Sequence, residues 1–191
     1  MTRLAVVTVG VTHSGKSTFA RALEQQLHHS IVIDQDNHAE FINSYYTKLR
    51  PKEGPNQLKY AVTQTIVNYA IHQTDAHLIL CNSNRDREGR LQLLKNLQRE
   101  GFITLLVEFD LPDHILQQRV ASSERSMKIF RSASSFEEVL RRQKSDPLRD
   151  AMNKPAAEEA DFMYTIRSTN DVQPTIEQIN HIAIEKELER K

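Results

Sequence analysis

The sequence has a single cysteine, Cys81, among 191 residues. It can neither close an internal disulfide nor supply a zinc knuckle. No run approaches the roughly 18 apolar residues that a membrane-spanning helix needs, so no membrane partner is expected. Met1-Thr2-Arg3 leads straight into an apolar stretch without a small-residue cleavage site. No signal peptide is therefore visible, and a cytoplasmic location is expected. Neither charge is in excess, because 25 Lys and Arg face 25 Asp and Glu. That balance argues against a dedicated nucleic-acid coat, though it is compatible with a local basic patch. The eight histidines show no metal-ligand spacing. There is no internal repeat. The length suits one domain with a small mobile appendage.

Apolar runs alternate with helix-period stretches, the pattern of an α/β fold with a mostly parallel sheet. Strands are predicted at 4–9, 31–33, 77–81, 102–109 and 161–167. Helices are predicted at 16–28, 37–46, 58–74, 87–100, from Pro112, at 136–144 and at 174–188. Phe19, Ala20, Leu23 and Leu27 form the apolar stripe of the first helix. Ala61, Val62, Ile66 and Tyr69 are assigned to the apolar side of the third. Residues 48–57 hold Pro51, Gly54 and Pro55 and read as a loop. Gly101 is the expected C-terminal cap of the fourth helix.

The sharpest local signal is Gly10-Val11-Thr12-His13-Ser14-Gly15-Lys16-Ser17-Thr18. It fits the phosphate-loop spacing of Gly, four residues, then Gly-Lys-Ser/Thr, between a strand and a helix. The glycines allow a tight path that turns several N–H groups toward phosphate oxygens. The following helix adds the field of its N-terminus. Lys16 can reach the β and γ phosphates, and the Ser17 hydroxyl can ligate Mg²⁺. ATP and Mg²⁺ are therefore the expected ligands.

Asp34 and Asp36 close the second strand. At period two both carboxylates point to one side, beside the phosphate loop. One can hold Mg²⁺ through water, and the other can orient or deprotonate an acceptor hydroxyl. Asp36 is also placed to cap the second helix. The third strand ends in Asn82-Ser83-Asn84, without the acid that motor-type ATPases usually carry there. A ladder of Arg119, Arg125 and Arg131, with Lys128 between, follows the fourth strand. Residues 119–149 carry a net +4, from eight Lys and Arg against four Asp and Glu. Such a segment closing over phosphates would exclude water and stabilise developing charge.

With these motifs the chain resembles the small P-loop kinases, over about residues 3–182. It looks like the predicted-kinase group related to the zeta toxin and to the kinase domain of polynucleotide kinase. Shikimate and gluconate kinases are similar in layout. The resemblance implies a three-layer α/β/α P-loop NTPase fold, with a five-stranded parallel sheet in the order 2-3-1-4-5 and a helical lid at about 121–135. It implies an acceptor-binding region at about 37–75. By position, Asp34 would support the metal and Asp36 would meet the acceptor hydroxyl. Arg119 would lie against adenine, Arg125 would contact phosphates, and Pro155 would flank the base from the other side.

Around this frame, His13 is placed to touch nucleotide or acceptor, and Tyr45 and Tyr46 either line the acceptor pocket or pack. Arg85 and Arg90 fit an anionic acceptor or an exposed helix start equally well. His28 and His29 are expected at the surface, and Cys81 is expected to be a buried small hydrophobe. Three functions remain open. The favoured one is ATP-dependent phosphotransfer to a hydroxyl of a small molecule, with Lys16, Asp36 and Arg125 carrying the chemistry. The second is transfer to a nucleotide or polynucleotide 5′-hydroxyl, with the basic segment receiving the backbone. The third is a nucleotide-gated binding module without transfer.

Overall fold

The computed structural model describes residues 2–130, 133–145 and 147–188. Five strands form one sheet: β1 (Arg3–Gly10), β2 (Ser30–Asp34), β3 (His77–Cys81), β4 (Phe102–Phe109) and β5 (Phe162–Ile166). Their order is β2-β3-β1-β4-β5, and every pairing is parallel. This is the sheet order that the resemblance implied.

Side chains alternate across the sheet, and both faces are covered, so the strands read as continuous apolar runs. Leu4 and Val6 face one helical layer. It consists of α1 (Lys16–Gln26), α5 (Asp113–Ala121), α6 (Phe136–Gln143) and α8 (Val172–Leu188). Phe19, Leu23, Leu116, Leu140, Ile176 and Ile179 fill that side. Ala5, Val7 and Val9 face the other layer, where α3 (Gln57–Gln73) and α4 (Arg87–Arg99) bring in Val67, Ala70, Leu94 and Leu97. Full burial of each large apolar side chain contributes about 1.5–3 kcal/mol. Two more helices, α2 (Gln35–Tyr45) and the short α7 (Pro147–Asn153), complete the chain. Among the described residues no helix is long and apolar enough to cross a membrane.

Several sequence-based expectations need correction. The second helix starts at Gln35, so Asp36 lies in its first turn and the alternation of an extended strand does not relate it to Asp34. The cap of α2 is Asp34, whose carboxylate accepts from the Asp36 amide at 2.9 Å, and not Asp36. On α3 the buried side is Val67 and Ala70. Ala61 is exposed, and Ile66 and Tyr69 are exposed by 37% and 66%. The inner side of α3 sets Lys59 and Thr63 among Leu58, Val62, Val67 and Ala70, which blurred the apolar period. Pro112 is the residue before α5 and not its first residue. The short α7 was unanticipated. Gly101 does end α4 with a left-handed φ of 80°.

Candidate functional site

β1 runs into residues 10–15, which end at the N-terminus of α1. Gly10 has φ 154°, and a Cβ there would lie 3.0 Å from both the Phe109 Cβ and the Ser14 Oγ. No larger residue fits that path. Three bonds seat the loop's entry on the turn after β3. The Gly10 amide donates to the Ser83 carbonyl at 3.0 Å, Thr8 Oγ1 to the Asn82 carbonyl at 3.1 Å, and Asn84 Nδ2 to the Thr8 carbonyl at 2.9 Å.

His13 takes φ 59° without being glycine, a costly conformation that its surroundings must hold. Its Nδ1 lies 2.9 Å from Thr12 Oγ1 and its Nε2 lies 2.6 Å from Ser123 Oγ. The ring also meets Phe136 edge-on, with centroids 4.5 Å apart. Burial, reinforced by Arg125 and Lys16, holds its pKa down at about 4, so the ring is neutral. His13 thus ties the loop to the segment after α5.

The Lys16 ammonium donates to the Val11 carbonyl at 2.6 Å and to Ser14 Oγ at 3.2 Å. Burial pulls its pKa down to about 8, against the opposing pull of nearby acidic groups that include Asp36 and Asp34. Gly15 has φ 101° and the Arg119 guanidinium at its shoulder. Arg119 Nη1 donates to the carbonyls of His13 and Ser14 at 3.4 and 3.3 Å. The Thr12 amide donates to Gln143 Oε1 at 2.8 Å, so the end of α6 also contacts the loop.

Ser17 Oγ donates to Asp34 Oδ2 at 2.9 Å. Cys81 lies beneath them, its sulfur 3.6 Å from Ser17 Oγ, and burial pushes the thiol up to about 11. It is an inert filler of the core. Among the described residues no group of three or more His, Cys, Asp or Glu could hold a metal ion. A hydroxyl beside one buried carboxylate is nonetheless a donor set that suits Mg²⁺, which takes one or two protein oxygens together with substrate phosphates and water.

Asp36 accepts from Arg125 Nη2 at 3.2 Å. Arg125 also lies over the Phe136 ring, 5.6 Å from its centroid. The 121–135 segment continues through a 3-10 turn at Met127–Ile129. Asn43 of α2 holds that turn by donating to the carbonyls of Lys128 and Phe130 at 2.6 and 3.4 Å. Arg131 lies outside the described residues.

One cleft of about 670 Å³ collects most of the expected residues: Thr12 through Thr18, Asp34, Asp36, Arg119 and Arg125. Gly10, where the loop begins, lines a smaller cavity and not this cleft. Pro155 does not reach this cleft and lines a smaller cavity of about 300 Å³ with Arg85, Glu108 and Lys154. Ser168, Thr169 and Val172, after β5, line the main cleft in its stead. Tyr45 and Tyr46 stand outside it, exposed and in ring contact with Phe41. Arg90 is neither exposed nor at the cleft. It is buried and doubly bonded to Glu159 at 2.6 and 3.0 Å, and it also donates to the carbonyls of Asn84 and Asn153. Arg85 donates to the Gln143 carbonyl at 2.5 Å. His28 and His29 are exposed, as expected.

Lys59 and Gln143 also line the cleft and escaped the sequence reading. Lys59 had a signal, since Asn56, Lys59 and Thr63 recur at helical spacing on one side of α3. Gln143 had none, because its partner Thr12 is remote in sequence.

A parallel 2-3-1-4-5 sheet with a phosphate loop after its central strand defines a small P-loop, kinase-like protein. The chain belongs to the family described as an AAA domain, whose model matches residues 6–147. Among solved structures it is similar to the tunicamycin resistance protein of Deinococcus radiodurans, at 18% identity and a TM-score of 0.57, with 95% of each chain covered. It is similar to shikimate kinase from Acinetobacter baumannii in complex with shikimate, at 17% identity and a TM-score of 0.56, over 98% of this chain and 96% of that one. The APS kinase CysC of Mycobacterium tuberculosis, in complex with AMPPNP and APS, is 15% identical with a TM-score of 0.55, over 93% of this chain and 98% of that one. At these identities the likeness is one of fold. Among curated proteins none matches the chain.

Proposed function

We propose that the protein is a phosphotransferase that moves the γ-phosphate of ATP to a hydroxyl of a small-molecule acceptor. The carrying observation is the meeting of Lys16, Ser17, Asp34, Asp36 and Arg125 in one cleft. The amides of residues 13–18 and the Lys16 ammonium grip the β and γ phosphates. Ser17 and Asp34 would hold Mg²⁺, which neutralises charge on the phosphates when bound. Arg119 lies along the base, with Ser168, Thr169 and Val172 as the other wall in place of Pro155.

Asp36 accepts the hydrogen of the acceptor hydroxyl. The acceptor oxygen bonds to the γ-phosphorus as the bond to the β-γ bridging oxygen breaks. The acceptor proton passes to Asp36, and ADP leaves. Arg125 exchanges Asp36 for the phosphoryl oxygens as the segment at about 121–135 closes. Closure excludes water, which would otherwise compete with the acceptor. The cleft must hold nucleotide and acceptor together, which favours a small acceptor over a polynucleotide. The region at about 37–75 supplies the acceptor's surroundings, and a cytoplasmic location with its ATP pool is part of this reading.

The test is Asp36→Asn, with phosphate transfer read across sugars, nucleosides, hydroxy acids, aminoglycosides and 5′-hydroxyl oligonucleotides. Loss of the general base is expected to lower transfer by about 10²–10⁴-fold with ATP affinity nearly intact. Full transfer by this variant would remove Asp36 from the mechanism.

A further inference from the structure

α6 meets the phosphate loop twice. Phe136, its first residue, packs edge-on against the His13 ring, with centroids 4.5 Å apart. Gln143, its last residue, accepts the Thr12 amide hydrogen on Oε1 at 2.8 Å. Among the described residues the Thr12 amide has no other acceptor. The backbone of Gln143 is itself anchored, because its carbonyl accepts from Arg85 Nη2 on the turn after β3. The Thr12 amide also fixes which way the side-chain amide of Gln143 faces, since only the oxygen can accept.

The Thr12 N–H and the Val11 carbonyl belong to one planar peptide group. That carbonyl accepts from Lys16 Nζ at 2.6 Å and from Ser14 Oγ at 2.9 Å. The same peptide is thus held at both ends, by Gln143 on its N–H and by Lys16 on its oxygen. Next to it His13 keeps φ 59°, a conformation that a non-glycine residue holds only where contacts impose it. A half-buried amide left without an acceptor is costly. Turning the peptide to find another partner would carry the Val11 oxygen away from Lys16. An ammonium has three N–H donors. One can stay on Val11 while the others face phosphates, so the carbonyl sets the point from which Lys16 reaches them.

We infer that Gln143 is a positioning residue for the transfer: it fixes the Val11–Thr12 peptide and, through the Val11 carbonyl, the placement of the Lys16 ammonium at the phosphates. This rests on the phosphotransferase reading above, to which it adds a residue outside the phosphate-loop motif. It also makes α6, which follows the segment at about 121–135, part of the hold on the nucleotide.

The test is a double-mutant cycle on AMPPNP affinity, with Gln143→Met and Lys16→Met made singly and together and Mg²⁺ present throughout. Methionine keeps the length of glutamine and offers only a weak acceptor. With Lys16 in place, Gln143→Met is expected to weaken AMPPNP binding ~10-fold, as when a partly buried hydrogen bond is left unmade. With Lys16→Met already present it is expected to add less than about 2-fold, because the lysine it positions is gone. NMR titration reaches the weak binding expected of the double variant. Losses that multiply in the double variant would mean that Gln143 acts independently of Lys16, and would overturn the inference.

A second measurement needs neither nucleotide nor acceptor. Hydrogen exchange of the Thr12 amide, followed by NMR in the free protein, is expected to quicken ~10-fold or more in Gln143→Met. It is expected to stay slow in Gln143→Glu, which retains an acceptor at the same reach. Unchanged exchange in Gln143→Met, or exchange as fast in Gln143→Glu, overturns the inference. If methionine prevents folding, Gln143→Asn, shorter by one methylene, gives the same readouts. AMPPNP bound equally by wild type and Gln143→Met removes this inference and leaves the phosphotransferase reading standing. Failure of wild type to bind AMPPNP removes both.

Discussion

Arg125 and Asp36 meet across the cleft at 3.2 Å, each side chain about two-fifths exposed. The acid assigned to the acceptor hydroxyl is thus covered by the arginine assigned to the phosphates. An ion pair this exposed contributes about 0–1 kcal/mol to stability.

Arg125→Gln is therefore expected to change unfolding stability by no more than about 0.5 kcal/mol. Transfer is expected to fall about 10²-fold, the usual loss when one donor to the reacting group is removed. Urea denaturation beside initial rates checks both. A large loss of stability would mark the pair as structural.

Lys16 gives a pH prediction. Its pKa is about 8 in the free protein, and bound phosphates favour the ammonium. Below about 8 this group leaves nucleotide affinity level with pH. Above it the free lysine loses its proton first, and affinity should fall by up to ~10-fold per pH unit. Binding should then take up a proton, detectable by calorimetry in two buffers of different ionisation enthalpy. Lys16→Met should abolish the uptake and weaken binding.

His13 acts on the folding equilibrium. Its pKa falls from 6.5 to about 4 on folding. Between those values the unfolded chain binds the proton and the folded chain does not, so stability should drop as pH falls through that window. His13→Asn keeps a residue tolerant of left-handed φ and removes the titration. Its stability should decline less steeply over the same window, measured by denaturant melts. An identical decline in both proteins would assign the effect to carboxylates elsewhere.

Arg90 and Glu159 form a buried pair that joins α4, the turn after β3 and the approach to β5. Glu159→Gln leaves a guanidinium without its counter-charge, and a loss of about 3–5 kcal/mol is expected on breaking such a pair. The more exposed Arg87, 3.4 Å from Glu159, loses the same carboxylate. Chemical denaturation measures the loss. Nucleotide affinity of the folded fraction should remain, because neither residue lines the cleft.

The central sheet was legible because strands buried on both faces must be largely apolar, as Leu4–Val7 and Leu78–Cys81 are. The phosphate loop was legible because its glycines answer to local backbone geometry. Asp34 and Asp36 were singled out for an alternation that the early start of α2 overrides. What brings them together is a cap and a helical turn. The burial of Arg90 could not be read, since Glu159 lies 69 residues away and only the fold brings it near. The inner side of α3 was misread because a helix beside a polar cleft turns lysine and threonine inward, while Ile66 and Tyr69 go out to solvent. Pro155 fitted a family pattern, but the fold sets it at the smaller cavity, while Ser168 and Thr169 line the main cleft.

Asp34 gives one oxygen to the Ser17 hydroxyl and the other to the Asp36 amide. A single carboxylate therefore spaces the first turn of α1 against the first turn of α2. In the proposed transfer, donor and recipient would be aligned by a strut that exists before either arrives. Glutamate, one methylene longer, is expected not to keep both bonds at this spacing.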